Sequence, residues 1–275
     1  MNKLSIAFII FIITVSFTGC TTFQFFSAAR ENRIAEMDKI ISEGFKVNTT
    51  MGGRTALMEA ALKADVKTLA YLVSKGADVN ASDKEGFTAF MLAVKKWRLE
   101  PAKFLFKKGA KINCANKEGF TPLMFAAINN DIKMVKFLLD NGADMEMKEC
   151  DGFSALNGAL DAAAKKTAYE LVKRGANVNS LSKKNDTPLM AASRRNCPEL
   201  AEMLIKNGAK VNSQTVEGYT AMMAAAWEGH KEIVRLLLDS GADPGLECRY
   251  GTARDIAGIA GHKEIIQMLK KAEEK

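Results

Sequence analysis

A block of nine residues, "GFTPLMFAA" at Gly119–Ala127, returns along the chain as "GFTAFMLAV" from Gly86, "GFSALNGAL" from Gly152 and "GYTAMMAAA" from Gly218. The Thr or Ser of these blocks falls at Thr55, Thr88, Thr121, Ser154, Thr187 and Thr220, each step being 33 residues. A second landmark, Gly-Ala, keeps the same step at Gly76, Gly109, Gly142, Gly175, Gly208 and Gly241. Two landmarks in register over six copies restrict a chain of 275 residues to one kind of architecture, a stack of identical small units.

The physics of one unit is readable from its residues. Thr121-Pro122 and Thr187-Pro188 start a helix, because Thr caps well and Pro suits a first helical position whose N–H has no partner. This helix is short and ends near Asn129-Asn130. A second follows with apolar residues at helical spacing, Ile132, Val135, Leu138 and Leu139, and Gly142 stops it. The polar stretch leading to Gly152 predicts a β-turn or hairpin finger. One position is always small, at Ala60, Ala93, Ala126, Ala159, Ala192 and Ala225, so first helices of adjacent units can pack closely. Such a unit buries its apolar face only by stacking.

The pattern resembles the ankyrin repeat, whose hallmark T-P-L-H-x-A-A, inter-helix G-H and terminal G-A-D-V-N is matched closely by "GYTAMMAAAWEGHKEIVRLLLDSGAD" at Gly218–Asp243. The resemblance covers roughly residues 27 to 272 and implies an all-α solenoid of paired antiparallel helices with short β-hairpin fingers. The domain order expected is a signal peptide over 1–19, a lipid-anchored start over 20–26 and a repeat domain over 27–275. Within that domain an N-terminal cap spans 27–52. Full repeats span 53–85, 86–118, 119–151, 152–184, 185–217 and 218–250, and a C-terminal cap spans 251–275. Thr252 follows Thr220 by 32 residues, one short of the period.

The family's histidine is replaced by Met58, Met91, Met124, Met190 and Met223, with Asn157 in the fourth repeat. Methionine is expected to fill space there rather than bond between loops. His230 and His262 occupy the G-H turn and are expected to be structural. The fourth repeat, with Asn157 and with Gly158 inside its first helix, is expected to be the softest, since a mid-helix Gly costs roughly 1 kcal/mol against Ala.

The opening "MNKLSIAFIIFIITVSFTGC" has a basic start, an apolar core from Leu4 to Phe17 and a terminal Gly19-Cys20. The core has signal-peptide length and is short for a membrane span. "FTGC" resembles the bacterial lipoprotein box, with Phe17 where Leu is usual, which implies lipidation at Cys20. By the family's sorting rule, Thr21 after the cysteine implies an outer membrane, if the cell has one. The alternative is an uncleaved N-terminal anchor, since no charge occurs from Leu4 to Ala29. Export implies an oxidising surrounding. Even so, stacked fingers would hold Cys114 and Cys150 about 10 Å apart, and no disulfide is expected among Cys114, Cys150, Cys197 and Cys248.

The net charge of +7 comes largely as scattered pairs such as Lys95-Lys96, Lys183-Lys184 and Arg194-Arg195, read as solvated helix ends rather than a nucleic-acid stripe. Two histidines and no C-x-x-C argue against a metal site. No catalytic set or phosphate loop occurs, and neither an enzyme nor a cofactor is expected. The resemblance implies a monomeric protein-binding scaffold that uses fingers and the concave ends of first helices. The candidate binding residues are Phe87, Lys95, Lys96, Phe120, Phe153, Arg194, Arg195, Tyr219 and Trp227. The alternative is an envelope lipoprotein that spaces or shields an enzyme without a dedicated ligand.

Overall fold

The structure, a computed structural model, describes residues 20–274. The chain forms two compact units, one up to Lys117 and one from Glu118. Both are built from helix pairs, and the fold is all-α apart from one tiny hairpin.

The first unit opens on a helix over residues 20–30 (α1), followed by α2 (Ile34–Ser42). A hairpin of β1 (Thr50–Met51) and β2 (Arg54–Thr55) pairs Thr50 with Thr55 and Met51 with Arg54. Then come α3 (Ala56–Lys63), α4 (Val66–Ser74), α5 (Ala89–Lys95) and α6 (Leu99–Lys107). The sequence starts the repeat domain at residue 27, but the helix already covers 20–26, because Phe25 and Phe26 are fully buried and Phe25 packs at a tilt on Phe45 with centroids 4.5 Å apart. The apolar segment Leu4–Phe17 lies outside the described residues.

The second unit holds five further pairs: α7 (Pro122–Ile128) with α8 (Ile132–Asp140), α9 (Ala155–Asp161) with α10 (Lys165–Lys173), and α11 (Pro188–Arg194) with α12 (Pro198–Lys206). The last two are α13 (Ala221–Glu228) with α14 (Lys231–Asp239), and α15 (Ala253–Ala260) with α16 (Lys263–Glu273). First helices pack on first helices and second on second, α7 on α9, α11 on α13, α13 on α15 and α12 on α14. The small positions Ala126, Ala159, Ala192 and Ala225 are fully buried between them.

Elsewhere the fingers are turns, with isolated bridges at Ser82–Thr88 and Cys248–Gly251. Their glycines let each finger lie against the next: a Cβ on Gly119 would stand 2.7 Å from Glu149 Cα, and beside it Cys150 N–H donates to Glu118 O at 2.8 Å. Asparagines fasten successive units with two bonds each. Asn179 Nδ2 donates to Gly208 O at 2.9 Å while its Oδ1 accepts from Lys210 N–H at 2.8 Å, and Asn48, Asn80 and Asn212 repeat the arrangement.

The methionines do more than fill space. Met58, Met91, Met124, Met190 and Met223 are buried, and the sulfurs of Met58 and Met124 each accept the N–H of the capping threonine, Thr55 and Thr121, at 3.4 Å. Asn157 keeps a stronger version, its Oδ1 accepting from the hydroxyls of Ser154 and Ser180 at 2.8 Å each. Its Nδ2 is buried with no partner among the described residues.

Candidate binding surface

Each finger glycine delivers one side chain to the face formed by fingers and first-helix ends. In the first unit Phe87 is half-buried, and Lys95 at the end of α5 lies over its ring, Nζ 4.6 Å from the centroid. Lys95 and Lys96 are both exposed. Trp97, which the sequence reading missed, projects beside them at 61% exposure with φ 56°. Its signal was positional: the same turn slot holds Asn130, Asn196 and Gly229, types that tolerate the left-handed region, and only Ala163 shares with Trp97 the lack of that tolerance.

In the second unit Phe120 is half-buried and stacks on Phe125 with centroids 5.4 Å apart, while Phe153 is half-buried with its N–H donating to Glu149 Oε1. Phe87 and Phe120 are thus partly covered by their own units rather than bare.

Arg194 is not available charge. Its guanidinium forks onto Asp186 at 2.6 and 3.1 Å and reaches Asp161 at 3.4 Å. Burial works against its charge, but Asp186 and then Asp161 more than compensate and hold it above its usual range. This corrects the expectation that Arg194 offers itself to an acidic partner. Arg195, next to it, is exposed.

Tyr219 and Trp227 come together. With Tyr250, Ile256 and Ile259 they line a cleft of about 280 Å³. Trp227 is 48% exposed, Tyr250 51% and Ile259 63%, while Ile256 is buried at the floor. Sequence reasoning found Tyr219 and Trp227 from their repeat positions. It missed Tyr250, the last residue of the sixth repeat, and Ile259, which lies in the cap beyond the one-residue shift of register.

The inter-helix turns hold these groups in place. His262 Nε2 bonds Trp227 O at 3.0 Å and His230 Nε2 bonds Arg194 O at 3.1 Å, so both histidines tie one first helix to the next unit. Arg98 does the same in the first unit, reaching Ala60 O, Ala61 O and Ala64 O. The sequence identified the two histidines but not Arg98, which shares their position.

No two of the five cysteines are joined by a disulfide. Burial pushes the thiols of Cys114 and Cys197 up, keeping them protonated and weakly nucleophilic at neutral pH. Cys20, the first described residue of α1, is exposed. No described helix is long and apolar enough to cross a membrane.

A family model for ankyrin repeats (3 copies) matches residues 25–116, 84–149, 98–182, 159–248 and 216–275, overlapping matches that run from 25 to 275. No curated protein matches the chain significantly.

Proposed function

The chain belongs to the ankyrin repeat family, and on that premise we propose that it is a non-enzymatic protein-binding scaffold held at a bacterial cell envelope by lipid on Cys20. Ankyrin repeats generally mediate protein–protein interaction. The observation that carries the reading here is exposure at the ends of first helices, of Lys95 and Lys96 in the first unit and of Arg195 and Trp227 in the second, Trp and Arg being types that dominate interface energetics. Phe87 in the first unit, and Phe120, Phe153 and Tyr219 in the second, are half-buried at finger positions and supply apolar area, and the lysines steer a partner that bears acidic groups.

The lipid anchor is supported by the geometry of α1. Cys20 is exposed, whereas Phe25 and Phe26 on the same helix are buried in the core, so a lipid on Cys20 would lie outside the packed face. A lipid there would hold the repeats at a membrane surface, on the outer membrane where there is one, with the chain monomeric. Cys20→Ala is expected to abolish fatty-acid labelling and to leave an uncleaved precursor; normal labelling of that variant refutes the anchor.

The scaffold reading is tested by capturing partners from detergent-solubilised envelopes with wild type and with face variants. Lys95→Glu with Lys96→Glu should slow association and change its salt dependence, whereas Phe120→Ala should mainly speed dissociation. A partner bound equally well by all variants would place the binding face elsewhere.

A further inference from the structure

In the second unit the residue just before the capping Thr or Ser, which follows a glycine or in one finger Asn185, is half-buried at Phe120, Phe153, Asp186 and Tyr219. The terminal cap has no such residue, because Gly251 is followed directly by Thr252, which caps α15. The cleft lined by Tyr219, Trp227, Tyr250, Ile256 and Ile259 lies where the cap would have supplied the next member of that series. One residue too few in the last period leaves a ready-made hole in an otherwise filled row.

The walls of this hole are fixed. The Trp227 carbonyl is bonded by His262, and Gly229 beside it takes the imidazole so closely that a Cβ would stand 2.6 Å from His262 Cε1. Cys248 and Gly251 exchange two backbone bonds of 3.0 Å, and Tyr250 N–H donates to Cys248 Sγ at 3.4 Å, which sets the opposite wall. The Arg249 guanidinium covers the Tyr250 ring at 4.6 Å. These bonds hold the backbone on either side of the cleft, so an occupant need not order the chain around it.

The lining is apolar and aromatic, and about 280 Å³ falls below the size of pockets that hold whole small-molecule ligands. It suits one large side chain. A second cleft of about 350 Å³ adjoins it through Tyr219 and Tyr250 and carries Lys184, Arg194 and Arg249 against Asp186 and Glu217. Asp186 is committed to Arg194 at 2.6 Å, and Glu217 meets Arg249 only loosely at 3.6 Å with both side chains largely exposed. Lys184 is exposed and has no ion-pair partner among the described residues. Arg194 is already matched by Asp186 and Asp161, which leaves Lys184 and the loosely held Arg249 as the cations facing an occupant of this second cleft, so its flanks on that side should be acidic.

We propose that this cleft receives one large apolar side chain from an extended, acidic segment of a protein partner, the side chain filling the place that the missing repeat residue leaves and the acidic neighbours lying toward Lys184 and Arg249. The proposal rests on the scaffold reading and narrows it to one subsite and one ligand chemistry.

The chain has two tryptophans, so Trp97→Phe leaves Trp227 as the sole indole reporter inside the cleft. The full chain with that substitution is titrated with three capped pentapeptides: Gly-Asp-Phe-Asp-Gly, Gly-Lys-Phe-Lys-Gly and Gly-Asp-Ala-Asp-Gly. The first should shift Trp227 emission saturably, the second should bind about tenfold more weakly at low salt, and the third should not saturate. Ile259→Asp, at an exposed wall position that the fold tolerates, should abolish the response, and Lys184→Glu should weaken it and flatten its salt dependence. Equal binding of the lysine peptide, indifference to Ile259→Asp, or no saturation with any peptide overturns the proposal. So does a concentration-dependent dimer, seen by sedimentation without peptide, that Ile259→Asp dissolves, because the occupant is then a second copy. If the peptides fail while envelope capture still depends on Lys95 and Lys96, the cleft assignment falls and the scaffold reading stands.

Discussion

Gly229 and Gly241 hold nearly the same backbone angle, φ 80° and 82°, in surroundings that differ by one imidazole. A Cβ on Gly241 meets nothing within 4 Å, whereas on Gly229 it runs into the His262 ring. Gly241→Ala should therefore cost about 1 kcal/mol, the left-handed penalty alone. Gly229→Ala should cost that plus the lost bond from His262 to Trp227, about 1 kcal/mol more. Urea unfolding of both variants checks this, and His262→Ala should erase the difference between them. Trp97 offers the reverse experiment. It holds φ 56° with a bulky side chain that is mostly in water, where Asn130 in the equivalent slot holds φ 55°. Trp97→Asn should raise stability by about 1 kcal/mol. A fall instead would mean that the indole packs on its neighbours with more than that gain.

Among the elements, α9 is the one whose own sequence works against it. Ser154 turns its hydroxyl onto Asn157 instead of capping with it, Asn157 Nδ2 is buried without a partner among the described residues, and Gly158 sits mid-helix. The glycine is there for a reason the sequence does not show: a Cβ would stand 3.0 Å from Ile128 Cγ1, so Gly158 lets α7 approach closely. Local weakness and close packing oppose each other, and an unsatisfied buried amide, about 1–3 kcal/mol, favours the weakness. Hydrogen exchange should find residues 152–175 losing protection first among the interior repeats. Uniform protection would show that the α7 contact dominates. At α15 the capping box gives a pH test. Thr252 N–H and hydroxyl both donate to Asp255 Oδ2 at 2.9 Å and hold its carboxyl below the usual range. A depressed folded value adds stability above the ordinary Asp pKa of about 3.9 and loses it as pH falls through the folded value. Asp255→Asn should therefore lower the melting temperature near neutrality and narrow the gap to wild type below about pH 4.

For the molecule as a whole, where the folded chain starts matters most. Phe25 and Phe26 close the first unit, while Phe23, two residues away, is 61% exposed. Phe25→Ala should destabilise by about 3–5 kcal/mol, the usual cost of a buried ring, and Phe23→Ala by less than about 0.5 kcal/mol, both read from urea midpoints. Equal effects would mean that α1 is not anchored by this face. The sequence by itself determined the 33-residue unit, the Thr caps, the glycine stops and the buried Ala column, because each follows from a local backbone preference or from a side chain too small to block stacking. It also placed Tyr219 and Trp227 at a finger and a first-helix end by register alone. Only the tertiary structure decided which charges on that face are already neutralised, as Arg194 is by Asp161 and Asp186, and which aromatic rings are covered, as Phe87 is by Lys95. It alone showed that Tyr219 and Trp227 share a cleft with Tyr250, Ile256 and Ile259. The physical reason is range. Caps and turns are set by residues a few positions apart, whereas these pairs and the cleft join a finger to a helix end eight residues on, or to the next repeat about 33 residues on, and form only once the repeat has folded and stacked.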